Sequence, residues 1–118
     1  LIIHNQKKYS SNKVSFLCLD AVDDELPSSD AVICREVIFH LNFKDGKKLI
    51  NNIKKSSRWA IITSDPSIWF NSNIPTGDFR RLNLEKSPFN FPKPSFKIDD
   101  NRLEELRILG VWRTEDLP

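Results

Sequence analysis

Three short apolar runs, each meeting a charged or polar residue at its C-terminal end, constrain this chain more than any other feature. They are VSFLCL (Val14–Leu19) before Asp20, AVIC (Ala31–Cys34) before Arg35 and Glu36, and WAIIT (Trp59–Thr63) before Ser64 and Asp65. A run of this length with no polar alternation is the pattern of a strand buried on both faces of a parallel sheet. Between the second and third runs, FKDGKKLINNIKKSS sets Phe43, Leu49, Ile50 and Ile53 on one face at helical spacing. Asn42 stands where an N-cap is needed, and Lys54 and Lys55 fall in the last turn, where cations complement the helix dipole. Strand, helix and strand in this order predict an α/β sheet with a right-handed crossover.

The flanking segments are less regular. Leu1 to Tyr9 fits the end of an amphipathic helix, broken by Ser10-Ser11-Asn12, and Asp23 to Asp30, with Pro27, reads as a loop. Beyond Asp65, prolines at 66, 75, 88, 92 and 94 punctuate a long segment that includes SPFNFPKP, predicting an ordered loop or lid. Phe96 to Asp99 is expected as a strand, Asp100 to Arg107 as a short helix or turn, and Ile108 to Thr114 as the last strand. No internal repeat or low-complexity tract divides the chain, so residues 1–118 are read as a portion of one domain.

Composition bounds the partners. With 39% apolar and 10% aromatic residues the chain can pack a core, and 18 basic against 16 acidic side chains give +2, which argues for neither a nucleic-acid nor a membrane partner. The seven basic residues between Arg35 and Arg58 read as a solvated helix face. Cys18 and Cys34 lack Cys or His neighbours at ligand spacing, so no metal is expected and both are read as buried thiols of a cytoplasmic protein. No apolar stretch approaches the ~20 residues that span a bilayer. The chain contains no methionine and begins Leu1-Ile2-Ile3, so it is read as part of a longer protein.

In open α/β sheets, ligands bind beyond the carboxyl ends of the strands. The three runs would deliver Asp20, then Arg35 and Glu36, then Ser64 and Asp65 to that edge. For Asp20 the alternative is a loop acid that caps a nearby backbone amide.

The residues themselves resemble a known family. FLCLDA, followed by a short acidic loop and DAVICREVIFHL, is similar to the middle of a class I S-adenosylmethionine-dependent methyltransferase. The later NIPTGDFRRLNLEKSPFNFPKP, Asn73 to Pro94, narrows the resemblance to a bacterial-type group of methyltransferase-domain proteins. The resemblance implies a Rossmann-like class I methyltransferase sheet that is incomplete here, without its first two strands and its glycine-rich loop. Gly46, Gly77 and Gly110 are scattered, and Leu1 to Tyr9 matches the helix after the second strand. In the family the first two strands lie between the third and the fourth, so this chain is expected to leave a gap in the sheet and not to hold the cofactor alone.

For S-adenosyl-L-methionine, the resemblance implies that Asp20 accepts from the adenine amino group and that the Ala21 amide meets the purine. Arg35 and Glu36 would lie beside the methionine part and the methyl acceptor, which is expected to be a small molecule. Methyl transfer is an in-line displacement in which positioning supplies on the order of 7 to 11 kcal/mol. His40 is the expected base or acceptor-orienting group, its alternative being a helix-start histidine bonded to backbone. Arg35 pairs with an acidic acceptor group, or else with Glu36 or Asp65. Asn73, Asn83 and the Pro88–Pro94 loop, with Phe89 and Phe91 excluding water, would close over the acceptor; the alternative is a loop packed on the core. Two rival classes are a methyltransferase fold without catalysis serving as a binding or regulatory module, and a phosphoacceptor receiver domain. The receiver lacks its lysine, since Ser64-Asp65-Pro66 follows Thr63.

Overall fold

The strand, helix, strand unit forms where the apolar runs place it. The computed structural model describes residues 1–100 and 106–118. Helix α1 spans Ile2–Tyr9, β1 Ser29–Cys34, a 3-10 turn Ile38–His40, α2 Phe43–Ser56 and β2 Ser57–Ser64. After the proline-rich segment come β3, Phe96–Asp99, β4, Ile108–Arg113, and a last 3-10 turn, Thr114–Asp116. The four strands form one mixed sheet in the order β1-β2-β4-β3. β1 and β2 are parallel, and β4 is antiparallel to both β2 and β3. The helix or turn expected over Asp100 to Arg107 falls mainly on residues 101–105, outside the described residues.

Helix α2 begins and packs as its sequence requires. The Asn42 side chain accepts from the Asp45 amide at 2.7 Å, satisfying one of the first-turn donors that have no partner within the helix. Leu49, Ile50 and Ile53 are buried against Ala60, Ile62, Cys34 and Trp112 on one face of the sheet. The proline-rich segment completes this layer through Leu82, Leu84, Phe89 and Phe91.

Three expectations fail together, for one reason. Val14–Leu19 is not a strand: it joins no sheet, and Val14, Leu17 and Leu19 are about half exposed. Among the described residues no strand lies beside it for its backbone to pair with. The segment instead meets α1, where Gln6 Nε2 donates to the Phe16 carbonyl at 2.7 Å and the rings of Tyr9 and Phe16 approach to 6.4 Å. Cys18, expected to be a buried thiol, is therefore exposed. The strands are also not buried on both faces, and α1 buries none of its own residues. Ile33 and Phe96, on the face away from α2, remain 68% and 67% exposed. The projecting N-terminal arm explains a radius of gyration of 14.7 Å, against about 13.5 Å for a compact chain of this length.

Cys34, by contrast, is buried at the end of β1, and burial pushes its thiol up to about 11. The fold disfavours the thiolate, so its contribution to stability is intact below the ordinary thiol range and falls as pH rises from about 9 toward 11. A two-unit difference corresponds to roughly 2–3 kcal/mol. Urea midpoints should drop more steeply over this pH window in the wild-type protein than in Cys34→Ala; identical slopes would contradict this.

Candidate functional site at the carboxyl edge of the parallel strands

Arg35 and Glu36 leave β1 at its carboxyl end, as expected. Glu36 adopts a left-handed backbone with φ of 63°, a conformation that costs a non-glycine residue roughly 1–3 kcal/mol and persists only where its surroundings enforce it. Two anchors do so. Its amide donates to Thr63 Oγ1 on β2 at 2.7 Å, and its carboxylate pairs with Arg107 Nη1. Arg35 meets Asp100 as a two-pronged fork, with Nε to Oδ2 at 2.9 Å and Nη2 to Oδ1 at 2.8 Å. That hydrogen-bonded pair holds the Arg35 guanidinium above its ordinary value. Of the partners expected for Arg35, neither Glu36 nor Asp65 is the one it takes.

His40 belongs to the same cluster. The Arg107 guanidinium lies 5.5 Å from the ring centroids of both Phe39 and Phe79, and Phe79 lies 5.3 Å from the His40 imidazole. His40 Nδ1 is 3.0 Å from the Asp78 carbonyl oxygen. A carbonyl only accepts, so Nδ1 carries the hydrogen and the neutral imidazole keeps its lone pair on Nε2. The backbone bond expected as the alternative to a base is therefore present, and it also leaves the ring in the tautomer a base requires.

The end of β2 anchors the returning chain. Asp65 is fully buried; its amide donates to the Leu82 carbonyl at 2.7 Å and its Oδ2 accepts from Arg81 at 3.0 Å. The Leu84 amide donates to Ser64 Oγ at 3.0 Å, and the Arg80 amide to the Phe39 carbonyl at 3.1 Å. The 80–84 segment is thus laced across the ends of both parallel strands.

Asp20 and Ala21 are not brought to this cluster. Asp20 Oδ1 accepts from the Val22 amide at 2.9 Å, the capping role that was the alternative to ligand binding. Ala21 offers its carbonyl to Asn52 Nδ2 at 2.9 Å. Asn52 stands nine residues along α2 from Phe43, about 13 Å down the helix from its start near the strand ends. Without a strand over Val14–Leu19, nothing carries Asp20 to the carboxyl edge.

The residues expected to cover an acceptor do structural work. Asn73 Oδ1 accepts from the Phe43 amide at 2.9 Å, a second cap on α2. Asn83 is 5% exposed and clasped to Asn71, whose Oδ1 accepts from the Asn83 amide and whose Nδ2 donates to the Asn83 carbonyl. Phe89 packs edge-on to Phe43 beside Gly46, and Phe91 edge-on to Trp112; at 4% and 5% exposure they form core, not a lid. Proline stiffening is visible in sequence, but which side of the loop the rings turn to depends on α2 and β4.

The residues expected to meet S-adenosylmethionine are not all brought together. Arg35, Glu36 and His40 stand together at the strand ends, while the Asp20 carboxylate and Ala21 amide lie elsewhere. They do not assemble a cradle for the cofactor. Among the described residues no three His, Cys, Asp or Glu side chains gather to hold a metal ion, and no helix is long and apolar enough to cross a membrane. The pairing of Glu36 with Arg107, 71 positions apart, and the role of Phe79 were not foreseen; no local pattern in the sequence marks them. Compared with protein-family models, curated proteins and solved structures, the chain matches none.

Proposed function

We propose that this chain is the C-terminal part of a class I S-adenosylmethionine-dependent methyltransferase acting on a small-molecule acceptor, with the β1 edge forming the acceptor side of the site. The observation that supports this reading most is a sheet left open where the family would have further strands. β1 is an edge strand with Ile33 exposed, and the apolar VSFLCLDA segment lies off the sheet. In the family two strands separate these elements, and with those strands in place Asp20 would be carried to the carboxyl edge. The strained Glu36 and the oriented His40 are the residues such an edge would use: Arg35 and Glu36 to position, His40 Nε2 to accept a proton from an acceptor that has one to give.

A second reading has its own support. Arg35, Glu36 and Asp65 are all engaged by protein partners, which suits a methyltransferase-fold binding or regulatory module without catalysis.

Calorimetric titration of S-adenosylmethionine into the full-length gene product separates the two. The enzyme reading expects saturable binding, weakened about tenfold or more by Asp20→Ala as a hydrogen bond from the adenine amine to a carboxylate is lost. Unchanged affinity in a folded Asp20→Ala protein removes Asp20 from the site; no binding by the wild type sinks the proposal.

A further inference from the structure

Trp69 and Phe70 are held in solvent by the fold. Their side chains are 91% and 83% exposed, although burying a large apolar side chain is worth about 1.5–3 kcal/mol. The dipeptide is pinned on both sides. Before it, the Ile68 amide donates to the Asp65 carbonyl at 3.2 Å, and the Ile68 carbonyl accepts from Asn83 Nδ2 at 3.0 Å. After it, the buried Asn71 donates to the carbonyls of Asn83 and Ser87 at 2.8 and 2.9 Å. Two aromatic rings presented from a rigid turn mark a binding surface more than a frayed loop.

Beside them is a cavity of about 300 Å³, lined by Phe43, Trp69, Phe70, Lys86 and Pro88 among others, a volume at the lower end of small-molecule sites. Phe43 opens α2 and Trp69 lies five residues past the end of β2, so the cavity sits on the loops beyond the parallel strands. Its charge selects among ligands. Aromatic walls attract organic cations, but the one charged lining residue is Lys86, which is exposed and meets no carboxylate among the described residues.

We propose that this cavity binds a flat, ring-bearing organic anion, the ring stacking on Trp69 and Phe70 and its carboxylate or sulfonate pairing with Lys86. The site stands independently of methyl transfer, since none of its residues belongs to the Arg35, Glu36 and His40 cluster.

The test is calorimetric titration of the full-length protein with 2-naphthoate, with the neutral 2-naphthylmethanol and with the cationic 2-naphthylmethylamine. Naphthoate is expected to bind tightest and the amine weakest. Trp69→Ala, at an exposed position that should leave the melting temperature unchanged, is expected to weaken naphthoate about tenfold through lost stacking. Lys86→Ala is expected to weaken naphthoate several-fold and leave the alcohol unaffected. Equal affinity for the three probes, unaltered binding in Trp69→Ala, or no binding at millimolar probe overturns the proposal. So does Trp69-dependent association with anionic lipid vesicles, or self-association, in place of naphthoate binding.

Discussion

Gly110→Ala is expected to lower stability by about 3 kcal/mol, roughly 10 °C in melting temperature for a domain of this size. Gly110 sits in β4, the strand that joins β2 to β3, and the Trp112 indole folds back over it. A Cβ at position 110 would fall 2.9 Å from Trp112 Cζ2 and closer still to Cζ3 and Cη2. The ring has nowhere to go: Trp112 is 2% exposed, its Nε1 donates to the Pro92 carbonyl at 2.7 Å, and its face meets Phe91 at 5.1 Å. Thermal unfolding followed by circular dichroism measures the loss, and Gly110→Ala combined with Trp112→Phe should recover part of it. A melting temperature of Gly110→Ala within about 2 °C of wild type, well under the shift expected for an overpacked core, would show that the ring is not confined.

Asp65→Ala is expected to cost about 2 kcal/mol, through lost hydrogen bonds worth about 0.5–1.5 kcal/mol each. Asp65 Oδ1 accepts from the Ser67 amide at 2.9 Å and from Ser67 Oγ at 2.5 Å, and Oδ2 from Arg81 at 3.0 Å. The ion pair adds little, because Arg81 is 37% exposed and well solvated; the turn that Asp65 caps carries the effect. Asp65→Asn keeps an acceptor for Ser67 and should lose less than half as much. Urea unfolding of the two variants decides: equal losses would place the effect in the charge pair and contradict this assignment.

Where residues near in sequence settle the structure, it was legible. The spacing of Leu49, Ile50 and Ile53, the Asn42 cap and the WAIIT run located α2 and β2, and the Ile108–Thr114 run located β4, because helix periodicity, capping and strand propensity are local properties. VSFLCL has the same local character and is no strand, because pairing depends on what lies beside it. The candidate site divides along the same line. Arg35, Glu36 and His40 follow β1 within six residues, so locating the strand located them. Arg107 and Phe79 reach the cluster from distant segments, and the inward turn of Phe89 and Phe91 depends on Trp112 and on the space over Gly46. In the polar loop after β2, Trp69 and Phe70 have no regular element to bury them both, and Trp69 is 91% exposed.

The carboxyl edge of β1 is the place proposed for S-adenosylmethionine and its acceptor to meet. Ultraviolet crosslinking of methyl-labelled S-adenosylmethionine to the full-length protein, followed by proteolysis and peptide sequencing, addresses this directly. The proposal predicts label in the peptide that contains Arg35, Glu36 and His40, suppressed by excess unlabelled cofactor. Absence of competable label, or label confined to peptides remote from this edge, would contradict it.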